Sequence, residues 1–208
     1  MRTFCEILLV STGGFIIMVL EIAGVRFLTK DFGGAFYVWI SQIGMVMAAL
    51  ALGYFCGGWL ADKFPRPGRL APLLALTGII IAALPLFSPP LISLIVNRHP
   101  LDREIPMFWQ KLDPALGSAV LFLLPCFVLA MLSPFTTRLT ARALDRVGSA
   151  SGRIYAASTV GSIAGVFATG YFLLDWLSLP SVFMLAGCLT LGLGGLCWFM
   201  NRFYAPRT

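Results

Sequence analysis

Six apolar stretches, each long enough to cross a bilayer, dominate the chain: residues 4–28, 37–61, 70–96, 116–139, 154–177 and 179–199. One crossing takes about 20 mainly apolar residues. Hydrocarbon offers no water to a bare N–H or C=O, so each segment must satisfy its own backbone, and the α-helix does so. The expected fold is therefore all-α: a single six-helix transmembrane domain over residues 1–208. Composition agrees, with 59% of residues hydrophobic and 12% charged. A soluble domain carries about 25% charged residues. Half that charge leaves too little polar surface to cover a fold in water. The first stretch is longer than a signal-peptide core and no A-x-A site follows it, so it reads as a span.

The charges set an orientation. Arg2, then Lys63, Arg66 and Arg69, then Arg138, Arg142, Arg146 and Arg153, then Arg202 and Arg207 fall on one side. Lys30, Arg98, Arg103 and Lys111 fall on the other, with most of the acids. Cations collect in cytoplasmic loops. Both termini are thus expected in the cytoplasm, and the chain in the inner membrane. The net charge of +6 finds its partner in the lipid bilayer. Nucleic acid is not expected, because no basic run is interleaved with exposed aromatics.

Local patterns refine the outline. Pro85, Pro89 and Pro90 predict a third span kinked or broken near its end, since proline removes a backbone donor. Between spans three and four, Ile105, Phe108, Trp109 and Leu112 recur at helical spacing. With Arg103, Glu104 and Lys111 beside them, they predict a short helix lying on the outer leaflet. The five cysteines, Cys5, Cys56, Cys126, Cys188 and Cys197, lie in apolar segments without a C-x-x-C and read as small buried hydrophobes. Small residues allow close helix contact in lipid. Gly53 and Gly57 form one such face, and Ala157, Gly161, Gly165 and Thr169 another. Either face serves packing inside the chain or a contact beyond it.

Ionisable residues inside a span are costly and often functional. Glu21 and Arg26 stand in the first span at a spacing of five, poor for a pair on one helix. Glu21, Arg26 and Gln42 form the candidate intramembrane polar site. Glu21 either is held by another helix or stays protonated, or it lines a polar cavity that binds a cation or proton. Glu6, nearer the inner end, is expected to snorkel. Arg138, Arg142 and Arg146 recur every four residues and, with Arg153, make a candidate docking or lipid-binding face. His99 is the one histidine and makes neither a metal site nor a triad alone. No dinucleotide fingerprint, P-loop or G-x-S-x-G occurs, so neither enzyme activity nor a cofactor is expected.

Several segments resemble a known family. Glu21-Ile-Ala-Gly-Val-Arg26-Phe-Leu with Phe32-Gly33 is similar to the signature that opens the membrane domain of membrane-bound spermidine-synthase-like proteins. Ala51-Leu-Gly53-Tyr-Phe-Cys-Gly57-Gly-Trp-Leu-Ala-Asp62-Lys63 resembles that family's second helix and following loop. Leu132-Ser-Pro134-Phe-Thr-Thr-Arg138 and the run from Gly152 through Tyr155, Thr159 and Gly161 to Gly165 resemble its later helices. Larger members join such a domain to a cytoplasmic aminopropyltransferase-like domain, which has no counterpart here. Gly58-x-x-x-Asp62-Lys63, with Arg66 and Arg69 after it, is also similar to a loop motif of major-facilitator transporters. Six helices built as two inverted triplets would be half of such a transporter.

Two functions follow from these resemblances. One is a non-enzymatic membrane module that anchors or assists a separate soluble or membrane partner, docked on the arginine face. The other is a small homodimeric transporter of a small metabolite, such as a polyamine-like cation, with Glu21 on its central cavity.

Overall fold

The computed structural model describes residues 1–99, 105–140 and 147–204. Among them there is no strand, and six helices are long and apolar enough to cross a membrane. They are α1 (Arg2–Phe32), α2 (Phe36–Lys63), α3 (Pro67–Val96), α4 (Met107–Thr140), α5 (Val147–Trp176) and α6 (Leu179–Met200). Each apolar stretch is one helix, extended at most ends by a turn of more polar residues.

Two of the sequence expectations change. The segment from Met107 is helical, but it is not a separate helix on the outer leaflet. It is the first part of α4, running on without a loop. Asp113 and Pro114 are buried against the rest of the bundle, and the Asp113 carboxylate is met by Arg98 and His99 just past α3. Of the two outcomes expected for the third span, kinked or broken, a break does not occur, since helix continues from Ala71 through Pro85, Pro89 and Pro90 to Val96. Proline's fixed φ lies close to the helical value, so each ring forfeits a hydrogen bond without forcing a stop. In α4 the chain instead widens to a π turn at Ala119–Leu123, directly before Pro125. A wider turn relieves the clash between a proline ring and the carbonyl four residues earlier.

The bundle is organised around α1 and α4. α3 packs along α6, and α1 packs along α5 and α6. α2 lies against α4 and α1. Both small-residue faces are used inside the chain. A Cβ on Gly53 would stand 2.4 Å from the Phe127 carbonyl oxygen, and one on Gly57 would stand 2.7 Å from the Met131 Cα. A Cβ on Gly161 would stand 1.9 Å from the Ser11 carbonyl oxygen, and one on Gly165 would stand 2.5 Å from that of Phe15. Helix backbones touch at these points, which is how association gains contact energy when lipid is as apolar as the side chains. Cys5, Cys126 and Cys197 are buried as expected, whereas Cys188 faces outward; all five are free thiols.

Contacts define two ends of the bundle. At one, Arg2 reaches the Leu139 carbonyl and Tyr204, and Arg138 of α4 pairs with Asp62 of α2. At the other, Gly117 of α4 lies under the Phe32 ring, and Arg26 of α1 reaches the Leu174 carbonyl of α5.

Candidate functional site

The three residues of the candidate intramembrane site do not come together. Each takes a different direction, for reasons the helix geometry explains. Successive residues turn by about 100°, so a spacing of five sends Glu21 and Arg26 to well-separated sides of α1. Arg26 is exposed near the end of the span, and its Nη1 donates to the Leu174 carbonyl at 3.4 Å.

Gln42 of α2 is fully buried. Its Oε1 accepts from the Ser118 hydroxyl of α4 at 2.6 Å, and its Nε2 approaches the Leu20 carbonyl of α1 at 3.4 Å. Gly24 makes the room, since a Cβ there would stand 2.5 Å from Gln42 Nε2. This is a three-helix polar clasp, and every member faces protein. Buried polar groups are costly only when one partner is lost. Ser118→Ala should therefore destabilise the bundle by about 2 kcal/mol, leaving an amide oxygen unpaired. Gln42→Leu combined with Ser118→Ala should recover most of that loss, since no polar atom then remains at the node. Thermal unfolding of the single and double variants in detergent reads the difference.

Glu21 remains by itself. It is half-buried and makes no hydrogen bond or ion pair among the described residues. Its place follows from its neighbours on α1. Gly14, two turns away on nearly the same line, faces Ser158 and Ser162 of α5. Gly24, most of a turn in the other direction, faces Gln42 of α2 and Phe122 of α4. Glu21 thus stands between α5 and the α2–α4 pair. α2 and α5 are the two least buried spans and also the two least apolar. A helix exposed to lipid on most of its surface should be the most apolar, so this order is inverted.

The end of the bundle that carries the termini holds two further clusters. Asp62 Oδ1 accepts from Arg138 Nε at 2.6 Å, joining α2 to α4 across exposed side chains. Lys63 lies over the Trp59 ring, 5.0 Å from its centre, and Gly58 faces open space. Of the arginine face, Arg138 is therefore already paired and Arg153 is exposed, while Arg142 and Arg146 lie outside the described residues. Glu6 does not snorkel. It is 2% exposed, accepts from Arg2 Nε at 3.0 Å and accepts the Tyr204 hydroxyl proton. Arg2 also lies over the Tyr204 ring, 4.1 Å from its centre, and its Nη2 donates to the Leu139 carbonyl at 2.8 Å. Burial holds the Tyr204 phenol well above the usual tyrosine range, and the bond to Glu6 pushes the same way. The phenol therefore stays a proton donor.

At the opposite end, His99 is not alone. Its Nε2 lies 2.7 Å from Asp113 Oδ2, and Arg98 pairs with the other oxygen of that buried carboxylate. The same Nε2 is 3.3 Å from Arg98 Nε, but it cannot accept that proton while donating to the carboxylate. The shorter, charge-assisted contact sets the tautomer. Arg98 then stacks on Trp109, 4.1 Å from the ring centre. His99 and Asp113 border a cavity of about 620 Å³, which Asp31, Tyr37 and Gln110 also line. Arg2 and Glu6 are four apart and could have been read as a pair. The Asp113 cluster joins residues whose contact no local spacing announces. Among the described residues no three His, Cys, Asp or Glu side chains could hold a metal.

Compared with known proteins, the chain matches no family model, no curated protein and no solved structure.

Proposed function

We propose that the chain is a six-helix half-carrier that works as a pair, with Glu21 as the membrane-embedded group that takes up a cation. The observation that carries this reading is Glu21 itself: an acidic side chain within a span, half-buried and without a hydrogen bond or ion pair among the described residues. A structural acid would be held by donors, as Glu6 is by Arg2 and Tyr204. An acid left unsatisfied in lipid is retained for what it binds. The inverted order of burial and polarity in α2 and α5 supports a second copy, rather than lipid, against their outer faces. The major-facilitator-half arrangement belongs to this reading, as do an inner-membrane location and cytoplasmic termini. So does the resemblance to the membrane domain of spermidine-synthase-like proteins, which suggests a polyamine-like cation.

The anchoring alternative rests on the arginine face. Arg138 is engaged by Asp62, which removes one of its members from a free docking surface.

Radiolabelled spermidine in proteoliposomes tests the reading. The wild-type protein should accumulate the probe, and Glu21→Gln should lower uptake at least tenfold with reconstitution unchanged. Glu21→Asp should retain part of the activity. Uptake by Glu21→Gln equal to wild type, or no uptake of spermidine by wild-type protein, overturns the proposal.

A further inference from the structure

Arg26 and Lys30 stand four residues apart on α1, on one helix face at the bundle end away from the termini. Both are exposed. Neither has a carboxylate within ion-pair distance among the described residues. Asp31, next to Lys30 in sequence, lines the separate cavity beside His99. Arg26 is anchored by a single bond to the Leu174 carbonyl, and Lys30 by none. Two cavities meet at this pair. One, of about 470 Å³, is lined by Ile22, Val25, Thr29, Trp39 and Leu174 as well as the two cations. The other, of about 270 Å³, continues past Leu177 to Pro180 at the start of α6.

The lining is graded. The cations sit near the end of the span. Ile22 lies one turn further into the span than Arg26, and Val25 lies beside it. Thr29 spends its hydroxyl on the Val25 carbonyl and offers no donor to compete. Trp39 of α2 forms the far wall, 43% exposed at interfacial depth, where indole rings prefer to lie. A ligand fitting this groove needs an anionic head at the two cations and an apolar tail running down α1. Guanidinium presents a fork that matches phosphate oxygens, and ammonium adds a point charge.

We infer that Arg26 and Lys30 form a binding site for one anionic phospholipid, its phosphate at the two cations and one acyl chain along Ile22 and Val25. The site lies in the leaflet opposite the chain termini. It does not depend on Glu21 or on transport. Its two cations and apolar wall would hold a phosphatidylglycerol-type lipid in preference to a zwitterionic one, whose own ammonium opposes them.

Native mass spectrometry of the full chain, released from nanodiscs of equal phosphatidylglycerol and phosphatidylcholine, reads the site directly. Wild-type protein should retain one phosphatidylglycerol in excess over phosphatidylcholine. The double variant Arg26→Gln, Lys30→Gln should bind it about thirtyfold more weakly, each charge being removed from the membrane surface. Arg26→Lys should keep most of the retention. Lys111→Gln, which removes a cation from the same end of the bundle, should leave retention at the wild-type level. Equal retention of both lipids by wild-type protein overturns the inference, and this holds even if a variant fails to fold. Retention unchanged in the double variant overturns it, as does an equal loss in Lys111→Gln, which would mark a bulk surface charge. Displacement of the lipid by millimolar inorganic phosphate would overturn it in favour of a free-phosphate site.

Discussion

Gly161→Ala should cost the bundle about 3 kcal/mol, the largest loss expected from a single added methyl group. The new carbon would sit 1.9 Å from the Ser11 carbonyl oxygen. That oxygen belongs to a helix backbone and cannot rotate away as a side chain could. α5 must therefore lift from α1 along the whole seam, because Gly14 against Ser158 and Gly165 against Phe15 lie on the same contact. α5 has little else to hold it, since most of its surface is outside the bundle. The control lies on the same helix. Gly152 has open space where its Cβ would be, so Gly152→Ala should be neutral or stabilising by up to about 1 kcal/mol through helix propensity. Thermal unfolding in mild detergent, followed by size-exclusion chromatography, separates the two. Equal melting of both variants would show that α5 does not depend on this close approach.

Glu6→Gln should cost about 2 kcal/mol. The carboxylate is nearly inaccessible and takes two donors, Arg2 and Tyr204, on one oxygen. An amide cannot neutralise the guanidinium that remains. The loss stays below that of a fully buried pair because Arg2 is 23% exposed and keeps some hydration. A second measurement identifies the cause. With Tyr204→Phe as background, the Glu6 substitution should cost less, because the hydroxyl donor is already gone. Additive losses in that double-variant cycle would place Glu6 outside the cluster.

The six spans were legible because hydrocarbon imposes one rule on every crossing residue, and the rule can be read from each segment by itself. The unhelpful spacing of Glu21 and Arg26 was legible too, since it depends only on helical rotation. The polar clasp was not. Gln42 meets Ser118 across 76 residues, and nothing near either residue announces the other. The same holds for His99, which looked solitary because Asp113 reaches it only after α3 and α4 have packed. Glu6 was misread for a different reason. Long acids near a helix end usually bend toward water, and only the return of the chain at Tyr204 makes burial favourable. The loop helix was read as helical but with the wrong continuation, because its charged residues set it apart from the apolar run into which the same helix continues.

The clasp of Arg2, Glu6 and Tyr204 has a consequence for the order of birth. Its first two members leave the ribosome before any of the six rods is complete, and the third follows Glu6 by 198 residues. Until then α1, the helix that the others gather around, carries an acid and a base at its start with one donor missing. A chain halted before Tyr204 would hold all six rods and still lack its latch.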